Sequence, residues 1–428
     1  MNKKRILSAG FAGLMALSLI ACGQSASTGT TGNDATSQSS AAPAAGSDTS
    51  ASNVTSDDTT NNTNTAATGT FKLGGSGPLT GNAAVYGLAV KNGAQIAVEE
   101  INAKGGLQFE LNFQDDQADT EAAVNAFNTL ADWGMQVSIA TTTSGSGQAV
   151  APLYQQENIF AITPSGSSTG IIYQNPDAES DPYGNLFQMC FTDPNQGIAS
   201  ADYLAAHTDL GSKIGVIYRN DDNYSTGLYN KFKSQADSLG LEIVDSETFQ
   251  DGATDYSVQI SKLKDAGAEL VFMPIYCEPA SQILAEAAKQ SFAPVFFGCD
   301  GMDGILTLKG FDAKLAEGLY MLTPFAADST DEKTQNFVKA YQELTGEIPN
   351  QFAADAYDAV YAIAQALEAE GLTTADDTAK ITEGLVKQFT SMTFNGITGT
   401  DVTWKESGEV SKAPKAVVIK DGVYVSVE

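Results

Sequence analysis

Apolar runs alternate with longer amphipathic segments from Phe71 onward, and this alternation predicts a regular α/β chain. Runs such as Val137–Ala140 and Ile159–Ile162 have the length and composition of buried strands. The segments 82–103 and 121–133 place apolar residues at the spacing of one helix face. Strands that alternate with helices favour a parallel sheet covered on both faces, so we predict an α/β, doubly wound fold.

The alternation starts again after about residue 192, which predicts a second lobe of the same class. This series runs from a helix over 196–207 to a strand over 294–299. Later helices without matching strands are expected to return to the first sheet and cover it; they are predicted over 332–345, 351–369 and 376–389. The tail is predicted to cross again as strands over 402–404, 416–419 and 423–427.

These crossings predict two doubly wound, Rossmann-like lobes joined by a multi-strand hinge. We place residues 70–191 and 324–400 in the N-terminal lobe. Residues 192–323 and 401–428 form the C-terminal lobe in this interpretation. Two lobes joined by several crossings make a hinge with a cleft between them.

Two successive strands of the first series each end in a loop of small hydroxylated residues and glycine. The first loop covers 141–147 and precedes a helix predicted over 148–157; the second covers 163–170. Loops at the carboxyl ends of neighbouring parallel strands lie side by side, and a helix N-terminus presents unpaired N–H groups. The two loops therefore predict one polar cup for a reversibly bound anion such as a carboxylate. The alternative is two ordinary turns with N-capping serines.

The first residues indicate export. A basic Lys3-Lys4-Arg5 precedes an apolar stretch over 6–20 that is too short for a typical membrane-spanning helix. Leu19-Ile20-Ala21-Cys22 resembles a bacterial lipobox, which implies that residues 1–21 are a lipoprotein signal peptide and that the Cys22 thiol is acylated. The mature protein would then be held on the outer face of the bacterial cytoplasmic membrane. An uncleaved anchor is the alternative.

Residues 22–69 are predicted to be a disordered tether. From Gly23 the segment is composed of small and polar residues with no aromatic side chain and one valine. Such a composition buries too little apolar surface to offset the entropy lost on ordering. We expect this segment to let the folded part of the protein extend away from the membrane.

Charge and cysteine content narrow the partners further. The formal net charge of −29 disfavours nucleic acid and anionic membrane surfaces. Besides Cys22 the chain has Cys190, Cys277 and Cys299, and because three is an odd number at least one of these thiols has no internal disulfide partner. Cys277 and Cys299 are predicted to end consecutive strands, which leaves a bridge between them open, but we favour buried free thiols. With one histidine and no paired Cys-x-x-Cys, we expect no structural metal.

Two catalytic or cofactor interpretations fail on spacing. Gly75, Gly77 and Gly81 follow a strand and precede a helix, but they miss the dinucleotide fingerprint by one residue and enclose Pro78. A serine hydrolase is disfavoured because the chain has no G-x-S-x-G and its histidine, His207, is predicted in the helix that leads into the second lobe. We therefore expect no cofactor and no enzyme.

Several short segments occur in an order that resembles the branched-chain amino-acid binding proteins of ABC transporters. They are Pro78-Leu79-Thr80-Gly81, Tyr86-Gly87, the run from Ala97 to Gly106, and Ile162-Thr163-Pro164. The resemblance runs from about Phe71 to Glu428 and implies a type I periplasmic binding protein fold. It also implies an amino-acid ligand, ABC permease subunits as partners, a membrane association through the lipid anchor, and a monomer.

The resemblance also implies a set of ligand-binding residues. Ser144 and the loop from Ser165 to Ser167 would hold the α-carboxylate of the ligand. Ser165, Ser167 and Asp300 would hold its α-ammonium group, and Tyr224 would close over it from the second lobe. Pocket walls for the side chain are implied at Tyr86, Tyr276 and Phe352. The alternatives are core packing for each aromatic residue and an N-cap for Asp300.

Two functions share these features. The first is an importer's solute-binding protein, which closes over an amino acid and delivers it to a permease. The second is a receptor of the same fold that reports an amino acid, amide or small carboxylate to another membrane protein without import. Neighbouring permease and ATPase genes would favour the first.

Overall fold

The computed structural model of the protein describes residues 69–176 and 178–427. The predicted signal peptide, the Cys22 lipidation site and nearly all of the predicted tether lie outside the described residues. Within the described ranges, no helix has both the length and the apolar character needed to cross a membrane.

The secondary structure follows the predicted α/β alternation. The strands are β1 (Thr70–Gly77), β2 (Gln108–Asp115), β3 (Val137–Thr141), β4 (Phe160–Thr163), β5 (Tyr173–Asn175), β6 (Ser180–Pro182), β7 (Leu186–Gln188), β8 (Lys213–Arg219), β9 (Glu242–Phe249), β10 (Leu270–Met273), β11 (Val295–Gly298), β12 (Tyr320–Thr323), β13 (Lys415–Lys420) and β14 (Val423–Val427). The α-helices are α1 (Ala84–Lys104), α2 (Thr120–Trp133), α3 (Ser144–Gln156), α4 (Asp193–Ala206), α5 (Asn223–Leu239), α6 (Ser257–Asp265), α7 (Cys277–Lys289), α8 (Glu332–Thr345), α9 (Gln351–Glu370) and α10 (Thr378–Phe389).

Two larger sheets carry the two series. The first has the order β2-β1-β3-β4-β7, and its neighbouring strands are all parallel. The second has the order β14-β13-β12-β11-β10-β8-β9. In this sheet the pairs β12–β13 and β13–β14 are antiparallel, and the remaining neighbouring pairs are parallel. In both sheets the chain first adds a strand on one side of the starting strand and then continues on the other side. This strand order is the doubly wound arrangement that the sequence predicts.

Three helices begin three to four residues earlier than the sequence pattern predicts, and one of them is α5, which begins at Asn223 where the predicted start is residue 226. The other two are α3, which begins at Ser144, and α4, which begins at Asp193. Gly145 and Pro194 interrupt the apolar periodicity there, but the first turn of a helix needs no intrahelical N–H partner and accepts proline. The first hydroxyl loop is therefore shorter than predicted, and Ser144 belongs to the helix that follows it.

Two predicted strands, over 186–192 and 269–277, end well before their predicted ends, and a third predicted strand is absent. β7 ends at Gln188 and β10 ends at Met273, each four residues before the predicted end. The tail segment 402–404 forms isolated bridges instead of a strand, one of them between Val402 and Phe394. In each case the apolar residues beyond the strand are buried by loop packing, which the period of the sequence does not distinguish from a strand.

The cysteines of the described chain are unpaired. Cys190, Cys277 and Cys299 are free and buried. Cys277 is the first residue of α7 and does not end a strand, which corrects the prediction that left a bridge to Cys299 open. The interpretation of these residues as buried free thiols is confirmed.

The late helices cover the first sheet. α9 packs along α1, where Gly93 lies so close to the backbone of Ala353 that any Cβ would collide with it. Phe389 at the end of α10 contacts Phe160 and Phe187, with ring centroids 4.8 and 5.4 Å apart. Helices without strands of their own thus complete the core of the first sheet.

The C-terminal tail contacts the first sheet and then adds strands to the second. The indole N–H of Trp404 donates to the carbonyl of Gln188 beside the first sheet at 2.8 Å, and β13 then joins β12 in the second. The crossings needed for a hinge therefore lie near residues 188–193, 323–332 and 404–415. The lobe boundaries predicted from the sequence, including the boundary at residue 401, remain a prediction.

Candidate ligand-binding site

A small closed cavity lies where segments that follow strands of both sheets meet. Its walls come from the segments after β3 and β4 of the first sheet and after β8, β10 and β11 of the second. The walls nearly touch, so the free volume of the cavity is only about 10 Å³. Ligands of doubly wound sheets bind at this end of the strands, where the strand order reverses.

The wall from the first sheet is rich in hydrogen-bond donors. Ser144 is the first residue of α3, so N–H groups of this helix turn have no partner inside the helix. The Ser144 hydroxyl accepts a hydrogen bond from the N–H of Ser168 at 3.2 Å, which ties the two hydroxyl loops together. The Thr163 hydroxyl accepts from the N–H groups of Ser165 and Gly166 and shapes the second loop. The helix dipole adds partial positive charge, so this wall suits an anion.

The wall from the second sheet carries a buried carboxyl group, Asp300. One of its oxygens accepts a hydrogen bond from the Tyr224 hydroxyl and the other from the Gln196 amide, both at 2.7 Å. Burial raises the pKa of Asp300 to about 6, and these hydrogen bonds partly offset that rise. The preceding residue, Cys299, caps the short helical turn, so the carboxylate is held by side chains and the N-cap interpretation is wrong.

Tyr86 of α1 joins the two walls. Its hydroxyl donates to the carbonyl of Gly301 at 2.6 Å and accepts from the N–H of Cys277 at 2.8 Å. A second link runs from the Asn223 amide on α5 to the Gln148 amide oxygen on α3, at 2.7 Å. The cavity is therefore closed by hydrogen bonds between segments of the two sheets.

Aromatic rings form the apolar part of the cavity. The Tyr86 ring lies 5.3 Å from Tyr276 and 5.1 Å from Phe352, and Tyr224 stacks on Tyr276 at 4.9 Å. These rings are mostly buried and occupy the space between the donor-rich wall and the acid. The cavity thus combines donors, an acid and a flat apolar surface.

The sequence from residue 70 to residue 422 matches the family model described as periplasmic binding protein. The chain belongs to the periplasmic binding protein family. This match confirms the resemblance predicted from the sequence motifs, and it covers the cavity and both sheets except for β14. The family is one of solute-binding proteins.

Curated relatives and solved structures agree with this assignment. The leucine-, isoleucine-, valine-, threonine- and alanine-binding protein of Pseudomonas aeruginosa is 27% identical over 322 residues, which are 74% of this chain and 83% of that protein. The substrate-binding protein of a branched-chain amino acid transporter from Streptococcus pneumoniae, solved with isoleucine, superposes with a TM-score of 0.73 at 26% identity, covering 84% of this chain and all of that one. The predicted type I fold is therefore confirmed.

A more distant solved structure shows how widely this fold is used. A solute-binding protein from R. palustris, solved with benzoate, has a TM-score of 0.73 but is 20% identical, with 84% of this chain and 96% of that chain covered. This likeness concerns the fold alone.

All eight predicted ligand-binding residues line the one cavity of this periplasmic binding protein. Six come from the segments after strands named above, namely Ser144, Ser165, Ser167, Tyr224, Tyr276 and Asp300, and Tyr86 of α1 and Phe352 of α9 complete the set. The cavity also includes Thr142, Thr143 and Gly301, which the sequence analysis did not single out individually. His207 follows the end of α4 with its ring stacked on Tyr203, and it does not line the cavity.

A second layer of residues, which the sequence did not predict, lies behind the cavity wall. Asp193 and Gln196 lie one turn apart at the start of α4 and are fully buried. Gln196 holds Asp300 through two hydrogen bonds, one to the carboxylate and one from the Asp300 N–H. The signal was present in Thr192-Asp193-Pro194, because proline after an acidic residue is typical of a helix start.

Proposed function

We propose that this chain is an extracytoplasmic solute-binding protein of an ABC transporter, which captures an amino acid in the cavity and delivers it to the permease. One observation carries the proposal: a donor-rich helix N-terminus with Ser144 and a buried acid, Asp300, lie on opposite walls of one closed cavity. An amino acid is a zwitterion, and its two charges need these two kinds of partner. Membership of a solute-binding family supports the same function.

In this proposal each predicted residue has one role. Ser144 and the loop N–H groups hold the carboxylate, while Ser165, Ser167 and Asp300 hold the ammonium group. Tyr224 stays hydrogen-bonded to Asp300 and covers it. The aromatic walls of Tyr86, Tyr276 and Phe352 favour a branched-chain or other apolar side chain. The relatives from Pseudomonas and Streptococcus support this ligand class, because the first is a leucine-, isoleucine-, valine-, threonine- and alanine-binding protein and the second was solved with isoleucine.

A thermal-shift screen of the mature protein against single amino acids tests the proposal. An amino acid at about a hundred times its Kd should stabilise the protein by roughly 2.7 kcal/mol, and apolar amino acids should give the largest shifts. 4-Methylpentanoate and benzoate belong in the same screen, because they offer a carboxylate and an apolar group without an ammonium group. A shift with these acids that equals or exceeds every amino-acid shift would contradict amino-acid binding.

We also propose that Cys22 is lipidated and that the tether links the binding domain to the membrane. Its support is the lipobox and the basic residues before it. Cells grown with a clickable palmitate analogue should label the wild type and not Cys22→Ala. Cys190→Ala is the matched control, because it removes a buried thiol of the folded domain and should keep the label. Equal labelling of Cys22→Ala and the wild type would show that the anchor is elsewhere.

A further inference from the structure

Asp193 is a buried acid that no role in the proposed site explains. It is 2% exposed, and neither of its carboxylate oxygens accepts a hydrogen bond within the described residues. A buried carboxyl without partners is costly, and such groups persist where function needs them. Burial raises the pKa of Asp193 well above its usual range, and the nearby Ser167 hydroxyl partly offsets the rise.

Asp193 lies directly behind the ammonium end of the cavity. Its N–H donates to the carbonyl of Ser167 at 3.0 Å, which fixes the start of α4 against the second hydroxyl loop. Its charge also raises the pKa values of Tyr224 and Tyr276, although burial is the larger cause for both groups. The carboxyl therefore acts on residues that line the cavity without lining it itself.

The chemistry of a hydroxyl makes this placement useful. Ser167 has one O–H donor and two acceptor lone pairs. It can accept a hydrogen bond from a ligand ammonium group only while its own proton points elsewhere. Within the described residues, Asp193 offers an unoccupied acceptor beside it.

We propose that Asp193 is a positioning residue: it accepts the hydroxyl proton of Ser167 and so turns a Ser167 lone pair toward the ammonium group of the bound amino acid. This inference rests on the proposed function. Two residues of α4 would then position the groups that bind the ammonium group: Asp193 orients the Ser167 hydroxyl, and Gln196 donates a hydrogen bond to the Asp300 carboxylate. The ligand supplies the positive charge that makes the ionised Asp193 favourable, and no covalent step is involved.

The test compares L-leucine with 4-methylpentanoate, which is the same molecule without the ammonium group. By calorimetry, Asp193→Asn should bind L-leucine about tenfold more weakly than the wild type, since a hydrogen bond that involves a charged group is lost. Its affinity for 4-methylpentanoate should stay within about twofold of wild type. The unliganded variant should melt at or above the wild-type temperature, because the amide avoids the cost of a buried carboxyl group whose oxygens accept no hydrogen bond from the residues that the structure describes.

A double-mutant cycle with Ser167→Ala separates this role from a structural one. If Asp193 acts through Ser167, the double variant should bind L-leucine no more weakly than Ser167→Ala alone. Asp222→Asn is the matched control: Asp222 is an acid of the same lobe whose carboxylate already accepts from the Ser225 N–H at 2.8 Å, and its L-leucine affinity should not change. Additive losses in the cycle would overturn the proposal.

The other outcomes are distinct. A wild type that prefers L-leucine, with Asp193→Asn unchanged in affinity or merely less stable, overturns the role of Asp193 and leaves the proposed function intact. A wild type that binds 4-methylpentanoate as tightly as L-leucine contradicts the proposed function and the ammonium site together. A wild type that binds none of the amino acids in the screen contradicts both as well.

Discussion

Asp300→Ala should weaken amino-acid binding by at least about a hundredfold. A ligand ammonium group enclosed in the cavity has lost its water, and Asp300 is the cavity-lining acid that can pair with it. Removing one partner of a buried ion pair typically costs about 3 to 5 kcal/mol, and each 1.4 kcal/mol is about tenfold in affinity. Calorimetric titration with the amino acid found in the screen measures the loss.

Apo melting curves and a matched variant complete this experiment. Without ligand, Asp300→Ala should melt within a few degrees of wild type, because the cost falls mainly on the bound state. Asp116→Ala is the control: Asp116 is also buried, burial raises its pKa to about 6, and it accepts from the Ser76 hydroxyl at 2.9 Å away from the cavity. It should lose stability and keep its affinity. Affinity retained in Asp300→Ala would remove this residue from the site.

The same carboxyl should make binding depend on pH. In the unliganded protein the pKa of Asp300 is about 6, and an ammonium group beside it would lower that pKa. Affinity should therefore be level above about pH 7 and fall below pH 6, by up to about tenfold for each pH unit, because a proton must leave before the ion pair forms. The unliganded protein behaves in the opposite way. Since the pKa of Asp300 in the folded protein lies above the usual aspartate value of 3.8, this group adds stability as the pH falls from about 6 toward 4.

Lys412→Met should lower the free energy of unfolding by about 3 to 5 kcal/mol. The Lys412 ammonium group forms a fully buried ion pair with Asp355 of α9 and also donates to the Thr398 hydroxyl at 2.6 Å. A second acid, Asp358, lies in the same cluster and accepts from the Thr398 hydroxyl and N–H. Without Lys412 two buried carboxyl groups would have no cation, which is costly.

Urea unfolding monitored by circular dichroism measures this loss. Lys405→Met is the matched control, because Lys405 pairs with Glu409 in the same tail segment but its side chain is 71% exposed, and exposed pairs contribute about 0 to 1 kcal/mol. Adding Asp355→Asn to Lys412→Met should recover part of the loss, since it removes the unpaired charge. A midpoint for Lys412→Met no lower than that of Lys405→Met would show that the buried pair contributes nothing to stability.

The local pattern predicted the regular elements well where the helix and strand periods are clean. β8 and α8 have the predicted bounds, and α9 differs by one residue at its end. The errors include the starts of α3 and α4, where glycine or proline breaks the apolar period inside a first turn that tolerates both residues. Those two helix starts are also where the cavity and its second layer are built. Ser144 was nevertheless singled out, because the resemblance to a known family supplied what periodicity could not.

The sequence by itself determined the α/β class, the order of the elements, the two hydroxyl loops and the family, because these depend on local hydrogen bonding, on which face of an element is apolar and on short motifs. The tertiary structure alone decided which distant side chains meet. Tyr86 reaches Gly301 across 215 residues, and Lys412 finds Asp355 across 57. It also placed Asp193 behind Ser167. Such pairings depend on strand order and on how the helices pack over the sheets, and a residue's own neighbours in the chain carry no record of either.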